Sequence, residues 1–158
     1  MNNKDGFTLL EVMVVVAIGA VLSLLLVSIF VTSNKFMLNT AKNLDSQTKA
    51  RQVLDLLSNE IRRNDITGRI ECSVESQVIR INSSNQADYK TYFYKNGYFT
   101  KFEKKGAQEQ EDPMYEIAGF EIQYDNKNVG KYTVVVKYLN AHGEEEVMQR
   151  LMVSRTAK

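Results

Sequence analysis

The chain has 158 residues, which is enough for one domain and short for two. Hydrophobic residues make up 44% of it and charged residues 25%, and these proportions exclude a wholly disordered protein. Because 20 basic residues nearly balance 19 acidic ones, the net charge of +1 does not indicate a general nucleic-acid-binding protein or an acidic tail. One Cys excludes an intrachain disulfide and one His excludes a His-rich metal site, so the composition argues weakly against an enzyme.

A long apolar segment lies near the start of the chain. Between Phe7 and Asn34 the only formally charged side chain is that of Glu11, and residues 12–31 are nearly all apolar. A helix of about 20 apolar residues is long enough to cross the hydrocarbon core of a bilayer. After Lys35 the sequence is polar or alternating. We therefore predict a membrane-spanning segment followed by a water-soluble domain.

Three interpretations of the apolar segment are open. A cleaved secretory signal has an apolar run of about 7–15 residues; Val31-Thr32-Ser33 is a passable cleavage site, but this run is longer and Glu11 stands at its front. A plain signal anchor is the second interpretation. The charges of Lys4 and Asp5 cancel, so the positive-inside rule does not predict its orientation clearly. The third interpretation rests on the polar leader and on Glu11.

The N-terminus combines a six-residue polar leader, MNNKDG, with the motif FTLLEV and the apolar segment. It resembles the N-terminus of type IV prepilins and of the related pseudopilins of type II secretion and DNA-uptake systems. The resemblance implies a leader at 1–6, cleavage between Gly6 and Phe7 by a prepilin peptidase, and N-methylation of Phe7. It also implies a structural rather than enzymatic role without cofactors. The implied partners are other pilin or pseudopilin subunits, the peptidase, membrane lipid before assembly, and an inner-membrane assembly platform with its ATPase.

Glu11 is the candidate assembly contact. A carboxylate within a hydrocarbon span costs about 2.5–3.5 kcal/mol, so it needs a partner. After cleavage the amine of Phe7 would lie one helical turn away, and the resemblance implies that Glu11 pairs with the N-terminal amine of a neighbouring subunit. A buried ion pair of this kind can set the register between subunits. The alternative is that Glu11 reaches the headgroup level from near the end of the span.

The pattern becomes amphipathic after Asn34. Apolar residues recur near helical spacing, which predicts an amphipathic helix over 35–67 that packs against a sheet; they are Met37, Ala41, Leu44, Leu54, Leu57 and Ile61. Thr67-Gly68 is a plausible end of this helix, and Arg62 and Arg63 suit its last turns.

Two arrangements of the helical region are open. The membrane segment at 7–34 and the amphipathic segment can form one helix, from Phe7 to about Ile66 and roughly 90 Å long at 1.5 Å per residue. The alternative is a break near Thr32-Ser33-Asn34. One helix with an apolar first half and a striped second half is the plan of the pilin family.

From residue 69 to residue 154 the sequence predicts antiparallel strands. Asn96-Gly97 between alternating aromatic segments is a strong hairpin signal. Residues 106–113 indicate an exposed loop and residues 125–130 a turn. One meander or two small sheets behind the helix both give an α+β fold. The predicted strands cover 71–74, 78–81, 91–94, 98–102, 117–124, 132–139 and 146–153.

Other chemically capable residues have simpler interpretations. Cys72 is expected to be a small buried strand residue, because His142 as a base lies far away on a predicted turn. The run at 144–146 is expected to be a solvated hairpin tip. Basic and aromatic residues at 98–105 could hold single-stranded DNA, but we expect the aromatics and lysines to lie on opposite strand faces. Nucleic acid is thus a possible but unsupported partner.

The sequence leaves two functions open. The first is a pilin-like subunit whose soluble domain at 35–158, which we call the head, lies outside the cytoplasm; residues 51–63 are similar in style to minor pilins and minor pseudopilins, which favours a minor subunit. The second is a single-pass anchored binding or sensor domain that does not polymerise. Motility, DNA uptake, secretion and adhesion remain open as the purpose of the fibre.

Overall fold

A computed structural model of the chain describes residues 8–64, 69–83, 87–124 and 131–153. It shows the predicted α+β class, with a long N-terminal helix followed by two antiparallel sheets. The chain divides into two units, residues 1–41 and 42–158. Gly6 and Phe7 lie outside the described residues, as do the predicted helix end at Thr67-Gly68 and the predicted turn at 125–130.

Helix α1 runs from Leu9 to Arg63 and has no break at 32–34. Of the two arrangements left open by the sequence, the structure therefore shows one helix through both segments. Its C-terminal turn contains Arg62 and Arg63, and the Asn64 side chain donates a hydrogen bond to the Glu60 carbonyl at 2.8 Å. The two cations suit the negative dipole end of the last turn.

The first unit presents an apolar helix surface. The large hydrophobic side chains from Leu9 to Val31 are all exposed in the isolated chain, from 45% at Val31 to 81% at Leu9. By length and composition, α1 is the one helix in the described part of the chain that could cross a membrane. A helix that is apolar on all sides needs lipid or neighbouring helices around it.

The second unit contains two sheets, each an antiparallel meander, so of the two arrangements left open by the sequence the structure shows two sheets. The five-stranded sheet has its strands in chain order and consists of β1 (Ile70–Ser73), β2 (Val78–Asn82), β3 (Tyr89–Lys95), β4 (Tyr98–Lys105) and β5 (Gln108–Glu116). The three-stranded sheet consists of β6 (Gly119–Tyr124), β7 (Lys131–Leu139) and β8 (Glu145–Val153).

The turn between β3 and β4 is the predicted Asn-Gly hairpin. Asn96 and Gly97 both have positive φ, at 52° and 87°. Positive φ at both central residues is the requirement of a type I′ turn, whose twist matches that of the flanking strands. The sequence therefore fixes the register of these strands locally, with Lys95 opposite Tyr98.

Residues 106–113 were expected to form a loop, and this expectation is wrong. They form the turn at Gly106 and most of β5, which pairs with β4 from Lys105 opposite Gln108 to Tyr98 opposite Glu116. The strand is almost entirely exposed and lies at the sheet edge, so its side chains have no reason to alternate. Edge strands commonly carry charges and proline, as β5 does with Pro113.

The core lies between the second half of α1 and the two sheets. The helix contributes one buried row, Ala50, Val53, Leu54, Leu57 and Ile61. The predicted inward placement of Met37, Ala41 and Leu44 is wrong, because all three are exposed and Leu44 is 59% exposed. Half-buried Asn43 faces the sheets instead, where its side-chain oxygen accepts a hydrogen bond from the Ala141 N–H at 2.5 Å.

Aromatic contacts join the two sheets. Tyr92 and Phe99 are stacked at 5.9 Å between ring centroids, and Phe99 meets Phe120 of the second sheet edge-on at 5.3 Å. All three are at most 4% exposed. Such pairs stabilise by about 0.5–1.5 kcal/mol beyond the area that they bury, so the contact of Phe99 with Phe120 helps to hold the sheets together.

A side-chain amide also links the sheets. Gln77, in the β1–β2 turn, accepts a hydrogen bond from the Ile122 N–H and donates one to the Ile122 carbonyl at 3.5 Å. Ile122 lies in β6, whose strand neighbour is β7. The amide therefore satisfies backbone groups on the side of β6 that β7 does not pair.

Candidate functional site

The local structure around Glu11 is a capped helix start. Its backbone N–H donates to the Thr8 carbonyl at 3.1 Å and to the Thr8 hydroxyl at 3.3 Å. Thr8 is thus the N-cap residue, and Thr8-Leu9-Leu10-Glu11 has the spacing of a capping box. An acidic side chain in the first turn is also stabilised by the positive end of the helix dipole.

Sequence reasoning missed the capping role of Thr8. The signal was present, because a Ser or Thr followed three residues later by Glu at the start of an apolar segment predicts a helix N-terminus. The cap fixes where α1 begins. It therefore also fixes Glu11 in the first helical turn rather than deep in the span.

The Glu11 side chain is exposed on an apolar helix. Its neighbours Leu10 and Val12 are 73% and 51% exposed, and no ion pair among the described residues includes Glu11. In a bundle of such helices, this carboxylate would lie among apolar side chains. A cation supplied by another group would offset the cost of burying it there.

The basic and aromatic residues of β4 do not form an unpaired cationic surface. Lys101 and Lys105 both contact the Glu103 carboxylate, at 2.5 and 2.8 Å, and Lys104 contacts Glu109 at 2.9 Å. Hydrogen bonds from these two lysines lower the pKa of Glu103 to about 2, and the bond from Lys101 has the larger effect. Two carboxylates therefore neutralise most of the charge of these three lysines, which weakens the attraction for phosphates on which nucleic-acid binding depends.

The expected separation of the aromatic residues and lysines of β4 onto opposite faces is wrong. Lys101 lies opposite Tyr92 and Lys104 lies opposite Tyr89, so each shares a face with an aromatic residue. Residues directly opposite in an antiparallel pair point to the same side of the sheet. Residues two apart on a strand also share a face, which places Lys104 with Phe102.

Cys72 lies in β1 and packs half-buried against the core. Burial raises the pKa of its thiol to about 12, although a hydrogen bond with Tyr132 acts in the opposite direction. A thiol with a raised pKa is a poor nucleophile because the thiolate is the reactive form. His142 is a turn residue as predicted, and its backbone N–H donates to the Asn140 side chain at 2.9 Å.

The acidic run at 144–146 is only partly a solvated tip. Glu145 and Glu146 begin β8, and the Glu146 carboxylate accepts hydrogen bonds from the Tyr138 hydroxyl at 2.7 Å and from Asn140 at 3.1 Å. The Tyr138 hydroxyl lowers the pKa of Glu146. Across residues 8–64, 69–83, 87–124 and 131–153, no group of three metal-ligating side chains comes together.

Comparison with known proteins points to the N-terminal segment. Residues 1–32 match the family model of the prokaryotic N-terminal methylation motif, and this range includes Gly6, Phe7 and Glu11. Searches of curated proteins and of solved structures found no match. The motif and the apolar helix fit a membrane-anchored protein. The methylation motif at the start of the N-terminal helix indicates a type IV pilin-like precursor, and it supports the resemblance to the type IV pilin and pseudopilin family.

Proposed function

We propose that the chain is a structural subunit of a type IV pilus or pilus-like fibre, and within that class a minor subunit. The observation that carries this proposal is the methylation motif at 1–32 on a helix whose large apolar side chains from Leu9 to Val31 are all exposed. A helix of this kind can exchange lipid for neighbouring helices without losing apolar contact. The choice of a minor subunit rests on the amphipathic segment at 51–63, which is similar in style to minor pilins and minor pseudopilins.

Maturation begins with removal of the leader at 1–6. The prepilin peptidase cuts between Gly6 and Phe7 and methylates the amine of Phe7. Cleavage creates a cation at the start of the helix, since a free or methylated α-amine is largely protonated near neutral pH. Glu11 follows the residue that carries this new charge by four positions, and it lies in the capped first turn of the helix.

Assembly then uses Glu11 as the contact between subunits. Each subunit lies in the membrane through residues 7–34, and the platform and its ATPase extract it into the fibre. The Glu11 carboxylate pairs with the Phe7 amine of a neighbouring subunit. Because an unpaired carboxylate among apolar helices is costly, this pairing favours one stagger of the helices over the others.

The head is the part of the subunit that stays outside the cytoplasm in a single-pass arrangement. It is held by packing and strand pairing, with ion pairs such as Lys95–Glu111 at 2.6 Å and Lys49–Asp45 at 2.7 Å on its surface. After assembly it lies on the cell-surface fibre. Its role is structural rather than catalytic, and the motif is generally found on structural proteins.

A second candidate is a single-pass anchored binding or sensor domain. The exposed apolar helix and the folded head fit this function as well. The methylation motif favours the fibre subunit, because an anchor alone needs neither the leader glycine nor a carboxylate in its span. Polymerisation separates the two functions.

Substitution of Glu11 tests the proposal. We expect Glu11→Gln to insert into the membrane normally, because a neutral amide costs less in hydrocarbon than a carboxylate, and to be largely absent from sheared fibres. The matched control is Glu75→Gln, since Glu75 is exposed in the β1–β2 turn of the head. Immunoblots of membrane and fibre fractions measure both steps. Equal incorporation of both variants would contradict the assembly role of Glu11, and absence of even the wild-type chain from fibres would support the sensor function.

A further inference from the structure

We draw no further inference here: the strongest candidate, the exposed apolar row of Leu139, Val147, Leu151 and Val153 on the outer face of the three-stranded sheet, carries nothing because no contact within the described residues shows what covers it.

Discussion

Replacing Gln77 should uncouple the β1–β2 turn from the second sheet. The Gln77 side chain accepts a hydrogen bond from the Ile122 N–H, and its amide nitrogen donates to the carbonyls of Ile122 at 3.5 Å and Val74 at 2.5 Å. Ile122 is 1% exposed. Removal of the amide therefore leaves buried backbone groups of β6 without these partners.

Lost hydrogen bonds and the left-handed backbone at Gln77 act in opposite directions on the free energy of unfolding of the Gln77 variants. An unsatisfied buried donor or acceptor costs about 1–3 kcal/mol, so Gln77→Ala should lower the free energy of unfolding by that amount. Gln77 also has a φ of 54°, a left-handed conformation that costs a side-chain-bearing residue about 1–2 kcal/mol and glycine almost nothing. Gln77→Gly should lose the same hydrogen bonds but recover about 1 kcal/mol relative to Gln77→Ala.

Urea unfolding of the full chain in detergent micelles, followed by near-ultraviolet circular dichroism of the tyrosines, measures these differences. Hydrogen exchange of the Ile122 amide adds a local measurement, and we expect faster exchange in both Gln77 variants. The control is Gln123→Ala, because Gln123 is the exposed neighbour of Ile122 and should change stability by less than about 0.5 kcal/mol. If Gln77→Ala is as stable as the control and the Ile122 amide stays protected, the proposed link between the sheets is refuted.

Two further predictions concern the helix and one ion-pair cluster. Leu57→Ala should lower the free energy of unfolding by about 2–5 kcal/mol, because Leu57 is fully buried. The same change at Leu44, which is 59% exposed, should lower it by less than about 1 kcal/mol. Equal losses in urea unfolding would contradict the assignment of Leu57 to the buried face of the helix. Because Lys101 and Lys105 depress the pKa of Glu103 from its ordinary 4.5 to about 2, its stabilising contribution should be complete above pH 4.5 and lost as the pH falls towards 2. Glu103→Gln should therefore be less stable than wild type at pH 7, with a gap that narrows between pH 4.5 and pH 2 in urea titrations; a constant gap would refute this coupling.

The sequence predicted those elements whose signals are local. The apolar segment predicted a helix of membrane-spanning length, and Asn96-Gly97 predicted a hairpin, which has positive φ at both positions. The strand predicted at 132–139 corresponds to β7, in which Val134 and Val136 are completely buried. In each case the residues themselves determine the structure, with little help from distant parts of the chain.

The wrong predictions have a common cause, because tertiary contacts determine the structure at those positions. β5 consists of exposed polar residues, and only its pairing with β4 makes it a strand. Leu44 has the spacing of a buried residue, but polar Asn43 occupies the face towards the sheets and is fixed there by the Ala141 N–H. The amide link from Gln77 to Ile122 joins residues 45 positions apart and has no pattern in the sequence.

The candidate site was predictable in a different way. Glu11 was found because a single charge in an apolar span is costly and therefore informative. Gly6 and Phe7 came from resemblance to the prepilin motif, and the family match at 1–32 supports that resemblance. Thr8 was the residue that physical reasoning could have added, since the capping box depends on two residue types three positions apart.

The mature N-terminus tests the account most directly. Mass spectrometry of the chain purified from membranes of cells that contain a prepilin peptidase should find a protein that begins at N-methylated Phe7, and the same cells without the peptidase should yield the chain that still carries residues 1–6. A membrane form that retains Met1 or begins at Asn34 in the presence of the peptidase would contradict the pilin-like function.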